Sequence, residues 1–275
     1  MTGIIQEGGI LLSNISDPIR TEETIFYQLR DKKMQIPYVA VPLAYRINTQ
    51  GIQETQNLIN RINDGYPGKK FFVCQHILVN QLEFGDNFVF TPHTTAQDNY
   101  HFIPHYNPAY ETPPARIPLT ERVNKFSFVG DYNTNPLREE IGRINSPYIL
   151  SQPTGRWFFS HDESTQKTLK SKYKEILENT QFPLCPQGTG PSTLRFFESL
   201  STGGIPVLFN DLKIPEGLEK LVVRSTIESL RSGDILSEIE NLSLEEISKE
   251  IYDLYWSEYS NQNLGNSILE KIKKL

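Results

Sequence analysis

Cysteine is nearly absent from this chain. Two occur in 275 residues, Cys74 and Cys185, and each falls inside an apolar, strand-like run, which points to buried thiols rather than a disulfide and removes any demand for an oxidising compartment. No window approaches the roughly 18 consecutive apolar residues of a membrane span. The opening MTGIIQEGGILL has neither a basic n-region nor a cleavage site, so the expectation is a soluble, cytoplasmic protein without a transmembrane segment. Positive charge is also short: 27 Lys and Arg stand against 33 Asp and Glu, a formal net charge of -6. That balance argues against a general nucleic-acid binder, while leaving room for a local cationic site. His93, His101 and His105 lie in a proline-containing loop without an adjacent carboxylate pair, so no zinc site is expected there.

What is present is alternation. Strand-like and helix-like segments follow one another from the start: Gly3 to Gln6, then a helical pattern from Glu22 to Leu29, strand-like Tyr38 to Val41, helical Gln53 to Ile62, strand-like Phe71 to Cys74, and Asn87 to Phe90. Alternation of this kind predicts a parallel sheet with helices on both faces. From Thr91 to Leu119 the pattern dissolves into Pro, His, Tyr and Asn, and Pro113, Pro114 and Pro118 read as a stiff connector rather than an element. A domain boundary is placed there. A second series then begins: strand Lys125 to Val129, helix Pro136 to Ile144 behind the N-cap Asn135, strand Trp157 to Phe159, helix Ser164 to Asn179, strand Pro183-Leu184, helix Ser192 to Ser201 and strand Ile205 to Phe209. Beyond Val223 the chain turns helical and charged. An apolar-periodic stretch from Leu264 to Leu275 has the pattern to pack back on the first domain.

The most informative segment is Phe182 to Asn210, FPLCPQGTGPSTLRFFESLSTGGIPVLFN. A short strand breaks into a Gly/Pro loop that opens onto a helix, and the helix N-terminus carries unpaired N–H groups and partial positive charge. The backbone after Gly188 and Gly190, with the Ser192 and Thr193 hydroxyls, suits a phosphate. Arg195 sits in the first helical turn. Glu198, three residues on, shares nearly the same face and can accept hydrogen bonds from vicinal hydroxyls such as those of a ribose. Gly130, at the end of the strand Lys125 to Val129, permits a close backbone approach where open α/β sheets bind ligands.

The run Cys185-Pro186-Gln187-Gly188, then Thr193-x-Arg195-x-x-Glu198, then Gly204-Ile205-Pro206-Val207, resembles the signature of the exostosin-like glycosyltransferases of family 47, usually CPRG, S-x-R-x-x-E and GCIPV. Gln187 stands where that family usually has Arg, and Gly203-Gly204 where it has Gly-Cys. The resemblance covers about residues 124–260. It implies a GT-B architecture: an acceptor-side Rossmann-like domain over 1–118, a nucleotide-sugar domain over 119–260, and a carboxyl-terminal helix over 261–275 crossing back to the first domain. It also implies an inverting enzyme that moves a sugar from a UDP-sugar to a hydroxyl of a glycan acceptor. Without an anchor the chain is similar to the compact enzymes of large algal viruses and some bacteria, which favours xylose slightly as the donor sugar; if the source is viral, the host cytoplasm is the compartment.

By the same resemblance Gly130, Arg138, Pro186, Gly188, Ser192, Thr193, Arg195 and Glu198 form the donor site, and His161, at an expected strand end, is added to touch a phosphate or sugar. No cofactor or metal is expected, because no two aspartates stand two apart and the guanidinium groups with the helix N-terminus can carry the leaving diphosphate. Inversion requires a general base. His76 leads and Asp98 follows, with Glu7 and His93 as rivals; the family often has His-Asp where this chain has His76-Ile77. The alternative is a non-catalytic nucleotide-sugar or glycan binding module, which Ile77 and Gln187 favour.

Overall fold

A computed structural model describes residues 4–5, 20–95, 97–154, 162–240 and 242–275. They divide into two compact units, residues 1–108 with 258–275, and residues 109–257.

The first unit is built on a five-stranded parallel sheet in the order β1 (Ile4–Ile5), β2 (Tyr38–Val39), β3 (Phe71–Val73), β4 (Phe88–Thr91), β5 (His101–Phe102). Its strands read as unbroken apolar runs because both faces are covered. Tyr38, Phe71, Val73 and Phe90 pack with Ile25 and Leu29 of α1 (Thr21–Leu29) on one face. Val39, Phe72 and Val89 pack with Leu58, Ile59 and Ile62 of α2 (Leu43–Gly65) on the other. Each such side chain contributes about 1.5–3 kcal/mol on full burial.

Two features differ from the sequence reading. Helix α2 starts ten residues before Gln53, and Gly51 breaks it with a φ of 85°, a conformation open mainly to glycine that interrupts the helical period. The stretch expected to be only a connector holds β5, whose two residues pair with Phe90 and Thr91; so short a strand carries no readable alternation.

The carboxyl-terminal helix belongs to this unit, as expected. In chain order it is α10 (Leu264–Ile272), and Leu264, Ile268 and Ile272, four apart, join the core beneath α1. Gly265 lets the helices close up, since a Cβ there would lie 2.8 Å from Gln28 Cβ. Gln28 Oε1 accepts from the Gly265 N–H at 2.6 Å, and its Nε2 donates to the Asn261 carbonyl at 2.7 Å.

The second unit holds β6 (Asn124–Gly130), α3 (Pro136–Arg143), β7 (Ile149–Pro153), α4 (Glu163–Glu178), β8 (Thr180–Cys185), α5 (Leu194–Thr202), β9 (Val207–Leu208) and β10 (Val223–Arg224), with the short helices α6 (Glu216–Glu219), α7 (Ile227–Ser232) and α8 (Ile235–Glu240) around the last strand and α9 (Leu244–Leu254) after them. Its sheet is parallel, in the order β10-β9-β8-β6-β7. Asn135 caps α3 through the Leu137 N–H, as its sequence suggests. The edge strand β7, which ends on Pro153, was not anticipated; Pro is tolerated at an edge because its missing N–H faces no partner. The expected strand at Trp157 to Phe159 lies outside the described residues. Helix α5 ends on Gly203 in the left-handed region (φ 71°), with Gly204 N–H returning to the Ser199 carbonyl at 3.0 Å, a glycine-dependent stop. Cys74 and Cys185 are buried free thiols.

Candidate functional site

In the second unit the chain runs from β6 outward to β7 and then returns across β6 to β8. The sheet therefore reverses its direction of growth between β6 and β8, and in open α/β sheets the crevice outside the carboxyl ends at such a point is where ligands bind. Gly130 ends β6, and Pro186 to Gly188 follow β8 directly.

Two guanidinium groups fill the space beside those strand ends. Arg195, buried, donates from Nη2 to the Val129 carbonyl and lies 4.5 Å from the centre of the Phe128 ring. Arg138, from α3, donates to the carbonyls of Gln187 (3.0 Å) and Pro186 (3.3 Å) and lies 5.7 Å from the same ring. The glycines make room for them: a Cβ on Gly130 would come within 2.8 Å of Arg195 Nη2, and one on Gly188 within 2.9 Å of Arg138 Nη2. At Gly130 the backbone approach read from the sequence is made by a protein guanidinium. Burial and the neighbouring Arg195 lower the Arg138 pKa to about 10, so it remains a cation at neutral pH although its charge is resisted.

Glu198 lies one turn beyond Arg195, and no ion pair joins them among the described residues. Its Oε2 accepts from the Tyr173 hydroxyl on α4, while Oε1 has no hydrogen-bond partner among the described residues. The carboxylate is buried. Burial raises its pKa, and the Tyr173 hydrogen bond and Arg195 oppose that rise. At the N-terminus of α5 no side chain caps the Thr193 position, and the buried Ser192 Oγ has no partner, as is true of Arg195 Nε. Buried polar atoms are almost always paired in a finished site. Ser192 Oγ, Arg195 Nε and Glu198 Oε1 are three open valences among the described residues.

The structure thus brings Gly130, Arg138, Pro186, Gly188, Arg195 and Glu198 to one end of one sheet, with Ser192 and Thr193 on the loop leading into α5. His161 lies outside the described residues. Sequence reasoning missed Phe128, which both guanidiniums face, and Tyr173. The signal for Tyr173 was available: on the polar helix α4 only Tyr173 and Leu177, four apart, are buried.

His76 and Asp98 belong to the first unit, beyond the carboxyl ends of β3 and β4. His76 Nδ1 accepts from the Leu78 N–H at 3.1 Å, so the proton sits on Nε2, which donates to Asn48 Oδ1 at 3.0 Å. Asp98 Oδ2 accepts from the Thr95 N–H and hydroxyl, both at 2.8 Å, and from Asn80 at 3.4 Å; Oδ1 has no partner among the described residues. His93 is buried, donates from Nε2 to the Gln75 carbonyl at 3.1 Å, and is driven to a pKa of about 4 mainly by burial. Its ring meets that of His105 edge-on at 5.0 Å. Unexpected in this group is Glu22, buried at the N-terminus of α2, where its Oε1 accepts from the N–H groups of Ala44 at 3.2 Å and Gln75 at 2.9 Å. Gln75 Oε1 in turn accepts from the Thr21 N–H at 2.8 Å. Glu7 lies outside the described residues.

No group of three or more His, Cys, Asp or Glu suited to a metal ion, and no helix long and apolar enough to cross a membrane, occurs among the described residues. Solved structures similar to the chain include the C-terminal domain of a glycosyl transferase group 1 family protein, LpcC, from Francisella tularensis, at 13% identity and a TM-score of 0.33, covering 55% of this chain and 97% of that one. The GtfA/B complex is similar at 10% identity and a TM-score of 0.41, covering 93% of this chain and 60% of that one. No curated protein matches the chain. Two units, each with a five-stranded parallel sheet and helices, and a terminal helix returned to α1 of the first, match the GT-B fold. Residues 54–217 match the Exostosin GT47 domain, a span that is more than half of the chain and contains the strand-end glycines, both guanidiniums and Glu198, and the chain accordingly belongs to the exostosin GT47 family of glycosyltransferases.

Proposed function

We propose that this glycosyltransferase moves a sugar from a UDP-sugar to a hydroxyl of a glycan acceptor with inversion, and without a metal ion. One observation carries the donor reading: a buried guanidinium, Arg195, and a half-buried one, Arg138, converge on one ring at the reversal point of the sheet, one turn from a carboxylate with an open oxygen. Two close cations in a low-dielectric setting repel each other, and an anion placed between them and the α5 N-terminus relieves that cost. A diphosphate fits this demand. Glu198 Oε1 is then placed for a ribose hydroxyl, and the Ser192 hydroxyl for a phosphate oxygen. The metal-free reading rests on these cations, which stabilise the charge that develops on the departing diphosphate.

In a single displacement the acceptor oxygen forms a bond to the anomeric carbon as the bond to the UDP oxygen breaks, and the hydroxyl proton passes to a general base. Asp98 suits that role better than His76. Its Oδ1 lone pairs are open and its geometry is held from Oδ2, whereas the one unprotonated nitrogen of His76 is already engaged by the Leu78 N–H. Xylose is the first donor sugar to test.

Thermal-shift screening of UDP-sugars, with UDP-xylose, UDP-galactose, UDP-arabinose and UDP-glucuronic acid in the panel, tests the reading, since a ligand bound only by the folded state raises apparent stability. Stabilisation followed by slow UDP release is expected. Stabilisation without turnover over a broad acceptor panel would instead support a non-catalytic binding module, the reading that Ile77 and Gln187 favour. No response to any nucleoside diphosphate would end the donor-site assignment.

A further inference from the structure

We propose that Tyr173 is a positioning residue that makes the donor site selective for the ribose hydroxyls; this rests on the reading of Glu198 as their acceptor. Arg195 and Glu198 stand three apart on α5 with opposite charges, the arrangement in which an ion pair normally forms. Among the described residues no such pair is present. The Arg195 guanidinium is instead turned to the Val129 carbonyl and the Glu198 carboxylate to the Tyr173 hydroxyl. Tyr173 comes from α4, and its ring lies 5.9 Å from the Arg195 guanidinium carbon. One side chain thus has its body beside the cation and its hydroxyl on the anion.

This separation has a chemical consequence. A carboxylate paired with Arg195 would spend its lone pairs within the protein, and the guanidinium would be spent with it. Pinned at Oε2 by Tyr173, the carboxylate cannot rotate freely, so Oε1 is presented in one direction with its lone pairs open. A hydroxyl donor is what such an acceptor recognises, and a ligand lacking it leaves a buried carboxylate oxygen unpaired. Tyr173 does not touch the phosphates in this scheme, so its effect should fall on the sugar of the nucleotide alone. Burial keeps the phenol protonated, by pushing its pKa well above the usual range, so it remains a donor at every working pH.

The test compares binding of UDP and of 2′,3′-dideoxy-UDP by calorimetry. The wild-type protein should prefer UDP by about tenfold or more, the factor that one hydrogen bond to a charged group commonly contributes. Tyr173→Phe, which keeps the ring, should weaken UDP by about tenfold while leaving the dideoxy compound within about twofold. Equal losses for both nucleotides, or an unchanged ratio, would overturn the assignment.

Glu198→Gln separates this proposal from the reading beneath it. If that variant removes the preference and Tyr173→Phe does not, Tyr173 is structural and the ribose reading stands. If neither variant alters it, the ribose reading fails and the proposal with it. A second readout is the pH profile of UDP binding. The ionisable groups around Glu198 are Arg195 on its own helix, Tyr173 and Lys174 on α4, Cys185 on β8 and Tyr110. Among these the Tyr173 bond favours the carboxylate form, so its loss should move the acid limb to higher pH; a limb that stays in place counts against the proposal. Should Tyr173→Phe not fold, 3-fluorotyrosine at position 173 retains ring and hydroxyl and changes only the strength of the donated bond. A shifted UDP to dideoxy-UDP ratio then supports the role, and an unshifted one overturns it.

Discussion

The two sheets end in opposite kinds of chemistry. At the carboxyl end of the second unit's sheet Arg138 remains a cation beside the Arg195 guanidinium, while among the described residues Ser192 Oγ and Arg195 Nε have no hydrogen-bond partner. At the corresponding end of the first unit's sheet His93 and His105 are held neutral by burial, and Glu22 and Gln75 satisfy each other and the helix starts around them. One end gathers guanidiniums beside open polar atoms, and the other gathers buried neutral imidazoles beside the hydrogen-bonded carboxylates of Glu22 and Asp98. The proposed donor and acceptor make different demands, since desolvating a diphosphate requires fixed opposite charge whereas a neutral hydroxyl requires only a directed hydrogen bond.

The largest effect is expected from removing the proposed base. Asp98→Asn should lower turnover on the order of 100-fold while donor affinity is spared, because the lost interaction exists mainly in the transition state. His76→Ala, run beside it, should cost less. The reverse ranking in initial-rate kinetics would return His76 to the role.

A smaller effect is expected on the charged side. Glu198→Gln should weaken UDP binding by about 1–3 kcal/mol, the usual scale for hydrogen bonds to a charged group. Calorimetry showing unchanged affinity would take Glu198 out of the site.

The neutral side is tested by acid. The folded-state pKa of His93, about 4, is below its ordinary unfolded value near 6.5. Its contribution to stability is therefore complete above pH 6.5 and is lost as pH falls towards 4, because the unfolded chain then binds a proton that the folded one refuses. Between pH 7 and pH 5 the wild type should lose about 2 kcal/mol relative to His93→Gln in urea unfolding. Parallel curves for the two proteins would mean that the first unit tolerates a charged imidazole. The smallest expected effect is none: turnover measured in EDTA should equal that without it, and loss of activity restored by manganese would refute the assignment of diphosphate stabilisation to Arg138, Arg195 and the α5 N-terminus.

Much of the candidate donor side is legible in the chain because its residues are local. Arg195, Glu198 and the Gly203 stop fall within about two and a half turns of one helix and the Gly/Pro loop leads directly into it, so spacing translates directly into face and direction. The strands Phe71 to Val73 and Phe88 to Thr91 were equally plain as apolar runs. The misses share a cause. β5 and β7 are short, half-exposed or proline-bearing, and a two-residue strand becomes a strand only when Phe90 and Thr91 are there to pair with it. The first half of α2 was hidden by Gly51, which ends the helical period before it can be counted.

The sequence by itself determined which segments alternate, where a helix must start and stop, and which charges sit one turn apart, because these follow from backbone sterics and from the two periods of side-chain direction. How those charges are used is set by the packing of the elements that carry them. Whether Arg195 pairs with Glu198 or with the Val129 carbonyl depends on where β6 ends and on what α4 carries past it, and Tyr173 is 25 residues from Glu198 in the chain. The same holds for Glu22, 53 residues from the Gln75 amide that it accepts from. Hydrogen bonds across such distances are set by the packing of whole elements, which no local spacing encodes.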